Sequence, residues 1–170
     1  MVESGLSLAR GEKLATRYFT HLSLTCEACD GNIIAPMDVK LAVLADFAGI
    51  TREGKLNILG IFDEINTPKF PVQLPIFYVV VSYEAGPAEF DTEKSTQIAV
   101  TDADGNVMVR LEQKITVPRA SRPGTRSTMN QISGIVGLPF PKAGDYQFAI
   151  LIDGREGETI RLRVNETREG

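Results

Sequence analysis

From Met37 onward, apolar residues recur at every second position in segment after segment, and turn-forming residues separate the segments. Side chains alternate between faces along a β-strand, so this period marks strands that turn one face to a core. In VKLAVLADF the odd positions Val39, Leu41, Val43, Ala45 and Phe47 are apolar, while Asp38, Lys40 and Asp46 fall on even ones. LNILGIF continues the pattern with Leu56, Ile58 and Phe62. Beyond Pro68, Pro71 and Pro75, IFYVVVSY is apolar on both faces, the mark of a strand that is covered twice or lies at an interface. QIAVTDADGNVMVRLEQKITV reads as a hairpin: Asp102 to Asn106 form the turn, and Val107, Val109, Leu111, Ile115 and Val117 line one face. MNQISGIVGL is a less regular strand. GDYQFAILIDG sets Tyr146, Phe148, Ile150 and Ile152 on one face, and Asp153-Gly154 turns it into TIRLRV.

About eight strands at turn-punctuated spacing, with no helix of normal length, predict an all-β chain. The expected architecture is an antiparallel β-sandwich, immunoglobulin-like or similar. Val39, Leu41, Val43, Phe62, Val79, Val109, Phe148, Ile150 and Leu162 are expected among its buried residues. Residues 1–36 lack the period and carry Gly5, Gly11 and Gly31 among scattered charges. The expected organisation is therefore an N-terminal extension, 1–36, followed by the sandwich domain, 37–170.

A chain of 170 residues, 43% hydrophobic and 24% charged, is long enough for one soluble core. Its formal net charge of −4 gives no general attraction to nucleic acid or anionic lipid. No apolar run reaches the roughly 20 residues of a membrane span, and the N-terminus lacks the apolar region of a secretory signal. The expectation is a cytoplasmic protein without nucleic-acid or membrane partners.

Several short motifs suggest chemistry and are weighed against plainer readings. GITREGKL, Gly49 to Leu56, nearly matches a phosphate-binding loop, but Leu56 replaces the hydroxyl that holds magnesium, and NILGIFDEI keeps a strand's alternation where a helix should begin. A hairpin connection with Gly54 at positive φ accounts for the same residues. Cys26 and Cys29 form one C-x-x-C knuckle, which His21 and Asp30 would have to complete as a zinc site. With no Cys or His in residues 37–170, the plainer reading is two unpartnered thiols in the extension. The same absence removes thiolate nucleophiles, serine–histidine triads and imidazole metal cages from the domain. DADGN, Asp102 to Asn106, lacks the spacing of a calcium loop and reads as a turn. No motif calls for a cofactor.

PRASRPGTRST, Pro118 to Thr128, holds Arg119, Arg122 and Arg126 without an acidic residue, so these three are the candidates for binding an acidic partner. The functional expectation is a non-enzymatic binding or assembly module acting through strand edges or loops, with a protein partner or a second copy of itself. One apolar face of IFYVVVSY is available for that contact. The alternative is an enzyme using carboxylates or an oxygen-ligated metal, which needs Asp46, Asp63, Glu64, Asp102, Asp104 and Asp153, or some of them, to converge in one cleft. Glu84 is a further acid near a strand end.

Residues 37 to about 166, through LADFAGITREGKLNILGIF, Phe70-Pro71, MNQI and FPKAGDYQFAILIDG, resemble an uncharacterised bacterial family of the domain-of-unknown-function kind. The resemblance brings no activity with it. It implies that the family's domain begins near Met37, which makes residues 1–36 an added extension or the product of a start placed too far upstream. AGDYQFAILIDG is also similar to the penultimate strand of immunoglobulin-like domains, where a tyrosine pins a corner. Phe148 stands where their disulfide cysteine would be.

Overall fold

In the computed structural model, which describes residues 36–167, the two-residue alternation resolves into two sheets packed face to face. The strands are β1 (Asp38–Ile50), β2 (Leu56–Phe62), β3 (Glu64–Thr67), β4 (Val72–Gln73), β5 (Ile76–Ala85), β6 (Glu93–Thr101), β7 (Val107–Thr116), β8 (Ser127–Val136), β9 (Pro139–Phe140), β10 (Gly144–Ile152) and β11 (Arg155–Glu166). One sheet has the order β2-β1-β5-β8, the other β3-β11-β10-β6-β7, and β4 pairs with β9 in a small third sheet. All eight segments read from the alternation are strands. The three shortest strands were not legible, and β3 departs from the antiparallel rule by pairing parallel to β11.

The turns follow from their sequences. Thr51 to Lys55 close the β1–β2 hairpin: the Thr51 amide donates to the Lys55 carbonyl at 2.8 Å, and Gly54 takes φ 79°. GITREGKL is therefore a hairpin and not a phosphate loop. At the β6–β7 turn, Asp102 Oδ1 accepts the amides of Asp104 and Asn106 at 2.9 and 2.8 Å. The amide of Asn106's side chain also donates to Asp102 Oδ2. These three bonds, the side-chain amide first, hold the Asp102 carboxyl below the usual aspartate range.

The core lies between the sheets. Phe77, Val79, Val81 and Tyr83 of β5 face Ile98 and Val100 of β6 and Phe148 and Ile150 of β10, all fully buried. The Phe77 ring packs on Phe62, Phe140 and Phe148, with centroids at 6.2, 6.4 and 6.0 Å. Tyr146 stacks edge-on against Phe140, and its hydroxyl donates to the Lys142 carbonyl at 2.8 Å, which is the corner-pinning contact that AGDYQFAILIDG suggests.

Of the residues expected to be buried, Val79, Phe148, Ile150 and Leu162 are fully so, and Val39, Phe62 and Val109 pack half-buried against the core. Leu41 and Val43 do not face it. Val39 pairs with Tyr83 and Leu41 with Ser82, so Lys40 is an extra residue that bulges the strand. A bulge reverses which alternate set faces inward. Beyond it Ala42 and Leu44 take the core side, and Leu41, Val43, Ala45 and Phe47 turn outward.

One polar network crosses the core. Tyr83 Oη donates to Gln131 Oε1 at 2.8 Å, Thr96 Oγ1 lies 3.0 Å from the same oxygen, and Gln131 Nε2 donates to Ser133 Oγ at 3.2 Å. Burial pushes the Tyr83 pKa up to about 12 from 10.0. A group whose folded pKa is raised contributes stability that is intact below its unfolded pKa and fades as pH climbs through the folded one. Unfolding free energy is therefore expected to fall by about 2–3 kcal/mol between pH 10 and 12 on account of this residue. Urea melts across that window should show a shallower decline for Tyr83→Phe, and identical slopes would refute the assignment.

Candidate functional site

Register determines what the outer side of each sheet presents. On the five-stranded sheet it is polar: Arg163 Nε donates to Asp145 Oδ1 at 3.1 Å, Gln97 Nε2 to Glu112 Oε1 at 2.8 Å, and Lys114 Nζ to Glu93 Oε1 at 2.8 Å. On the four-stranded sheet it is apolar. Cross-strand pairs Phe47–Leu59 and Ala45–Ile61 join β1 to β2, Ala45–Tyr78 joins β1 to β5, and Ile76–Val136 joins β5 to β8. All of these side chains point away from the core, because their neighbours Leu44, Phe77, Val79 and Ile135 point into it, while Ala45 and the outward Val80 have no exposed surface.

Among the described residues eight large apolar side chains are exposed, and six of them, Leu41, Phe47, Leu59, Ile61, Ile76 and Val136, share this one face. Leu59 and Ile61 are each 62% exposed, and Val136 is 75% exposed. Phe47 stacks edge-on against Tyr78 with centroids 6.0 Å apart. At the Leu41 end the apolar field meets a charged rim, where Lys40 pairs with Glu84 at 3.7 Å. An apolar centre with a polar margin is how protein interfaces are built, whereas scattered exposed apolar residues would need no explanation. The sequence showed the β5 part of this face through IFYVVVSY. The contributions of β1 and β2 became visible only with the Lys40 bulge.

The arginine loop behaves differently from its sequence. Arg119 Nε donates to Asp91 Oδ2 at 2.6 Å, and Arg126 reaches Asp38 Oδ2 at 3.1 Å, Glu84 Oε2 at 3.2 Å and the Glu84 carbonyl at 3.0 Å. Arg122 makes no ion pair with a described residue. Asp91, Asp38 and Glu84 arrive from other segments and neutralise two of the three cations.

The carboxylates divide among separate places. Asp63 and Glu64 share a cleft of about 210 Å³ with Asp145, Arg161 and Arg163. Asp102 and Asp104 sit on the β6–β7 turn. Asp46 lies beside Gly60 in the β1–β2 hairpin. Asp153 belongs to a cleft of about 520 Å³ that also holds Asp38, Glu89, Lys94 and Glu156. There Lys94 Nζ lies 2.9 Å from Glu89 Oε1 and 3.1 Å from Asp153 Oδ2. Glu89 first and Asp153 second raise the Lys94 pKa, while the Ser95 amide, then Lys94, hold the Asp153 carboxyl low. Lys94 and Asp153 are thus kept in their charged forms, the opposite of what a proton-transfer group near neutral pH requires. Sequence reading missed this triad because 59 residues separate Lys94 from Asp153. Among the described residues no three His, Cys, Asp or Glu side chains converge as metal ligands, and no helix is long and apolar enough to cross a membrane. Cys26, Cys29, His21 and Asp30 lie outside the described residues.

A β-sandwich with one polar and one apolar outer face is the class of protein the geometry defines. Over residues 40–165 the chain matches the model of DUF6941, a family of unknown function, and it belongs to that family. None of the curated proteins compared with it matches. Two solved structures are similar at low identity. An alkylpurine DNA glycosylase of Pseudomonas fluorescens, bound to DNA containing an abasic site analog, shares 9% identity at a TM-score of 0.45, over 77% of this chain and 31% of that one. An immunoglobulin-like protein of Pseudomonas aeruginosa shares 15% identity at a TM-score of 0.37, over 78% of this chain and 99% of that one. The chain spans under a third of the glycosylase.

Proposed function

We propose that this domain is a non-catalytic assembly module that joins a second copy of itself through the outer face of the β2-β1-β5-β8 sheet. The observation that carries the reading is the gathering of six exposed large apolar side chains on that one face. Four strands spaced about 4.8 Å apart, with ten-residue β5 rising about 3.3 Å per residue, give roughly 600 Å² of sheet plane, and side-chain relief adds to it. A stable interface uses about 800 Å² per partner, so the face has the right size. In a two-fold arrangement the face meets itself, apolar against apolar, and its charges stay at the rim. The spread of Asp46, Asp63, Glu64, Asp102, Asp104 and Asp153 over separate places, and the holding of Lys94 and Asp153 in their charged forms, support the non-catalytic part.

Light scattering of the full chain at micromolar concentration tests this. The mass is expected to be a multiple of 18.6 kDa and to fall by half when Phe47→Glu and Leu59→Glu are combined. Both side chains are at least half exposed, so the far-UV spectrum should not change. A wild-type monomer, or a variant whose mass equals the wild type's, overturns the reading.

A further inference from the structure

The two sheets end in four edge strands, and they differ in how open they are to further pairing. Strand β3 has only four residues. Strand β7 carries Arg110, Glu112 and Lys114, and its register shifts between Val100 and Thr101 of its partner β6. Strand β2 is interrupted by Gly60 at φ 66°. Natural sheets blunt their edges by such means. Strand β8 has none of them: STMNQISGIV contains no charge and no proline, and all ten residues pair with β5 in unbroken register. Among the described residues only β5 neighbours it, so its other side presents backbone groups that no described strand pairs. Beside this edge runs a groove of about 310 Å³ walled by Val109 and Leu111 of β7 and by Ile135 and Leu138.

We propose that β8 pairs antiparallel with β8 of a second copy about a two-fold axis at Ile132, which fuses two four-stranded sheets into one of eight. The register follows from the side chains. With Ile132 opposite its own copy, Gln131 faces the partner's Ser133, and the amide hydrogen that Gln131 does not spend on its own Ser133 has an acceptor. Met129 then faces the partner's Ile135 and enters the apolar groove, which a flexible thioether fills well. On the outer side Thr128 meets Val136, and Asn130 meets Gly134. No charged residues lie along the β8 edge, whereas β7 carries three. This contact uses the edge and not the face proposed above, and the two together give four copies.

Because Ile132 also lies on the outer face, the test is made in the full chain already carrying Phe47→Glu and Leu59→Glu, with Cys26→Ser and Cys29→Ser. In that background the proposal expects twice the 18.6 kDa chain mass, reduced to one chain by adding Ile132→Lys, which sets two ammonium groups across the axis. Under copper-phenanthroline oxidation, Ile132→Cys should cross-link to itself. Gly134→Cys should cross-link only when mixed with Asn130→Cys. A monomer in the background, a mass unmoved by Ile132→Lys, or cross-linking of Gly134→Cys to itself overturns the pairing. A wild-type mass unmoved by the two glutamates counts against the face alone.

Discussion

Phe77→Ala is expected to lower the unfolding free energy by about 3–5 kcal/mol, the range for removing a buried phenylalanine from a packed core. The side chain is fully buried, and its ring touches aromatic rings from β2, β9 and β10, so three elements lose contacts at once. The walls of such a cavity are anchored in hydrogen-bonded strands and collapse little. Against a typical total of about 5–15 kcal/mol this is a large share, readable as a drop in urea midpoint at unchanged slope. Val107→Ala, at a side chain 54% exposed, provides the comparison and should move stability by less than about 0.5 kcal/mol. A loss under about 1 kcal/mol for Phe77→Ala would mean that the two sheets do not pack as described.

Gln131→Leu is expected to cost about 2–3 kcal/mol, even though it replaces a polar core residue with an apolar one of similar length. The cost arises at Tyr83. Its hydroxyl is buried and donates to Gln131 Oε1, and without that oxygen it is left with the Thr96 hydroxyl alone, which itself keeps the Gln113 carbonyl at 3.2 Å. Stranding one buried hydroxyl is penalised more than removing both partners. The double variant Tyr83→Phe/Gln131→Leu should therefore be more stable than Gln131→Leu alone, and a double-mutant cycle in urea measures the difference. Additive losses would contradict the network.

Most of the sandwich was legible because its strands are long enough to display their period. Strand β10 needed no structure: Tyr146, Phe148, Ile150 and Ile152 alternate without interruption, and all four are buried. The short strands Val72–Gln73 and Pro139–Phe140 carry too few residues for any period, and their pairing is imposed by the loops that bring them together. The candidate site was half legible. IFYVVVSY signals a second apolar face on composition alone, but which neighbours extend it depends on register, and register is a long-range property. The charge balance around the arginine loop was hidden for a related reason. Charge read within an eleven-residue window cannot see Asp38 and Glu84, which lie 88 and 42 residues before Arg126.

The bulge at Lys40 has a meaning for comparing relatives of this chain. Deleting Lys40 would leave Val39 inward and Leu41 outward in plain alternation, so a relative with a one-position gap at this point keeps both sides of the longest strand as they are, while a relative of equal length that lacked the bulge would exchange them. Relatives are therefore to be compared at this strand by the phase of their large apolar residues on either side of position 40, and not by its length.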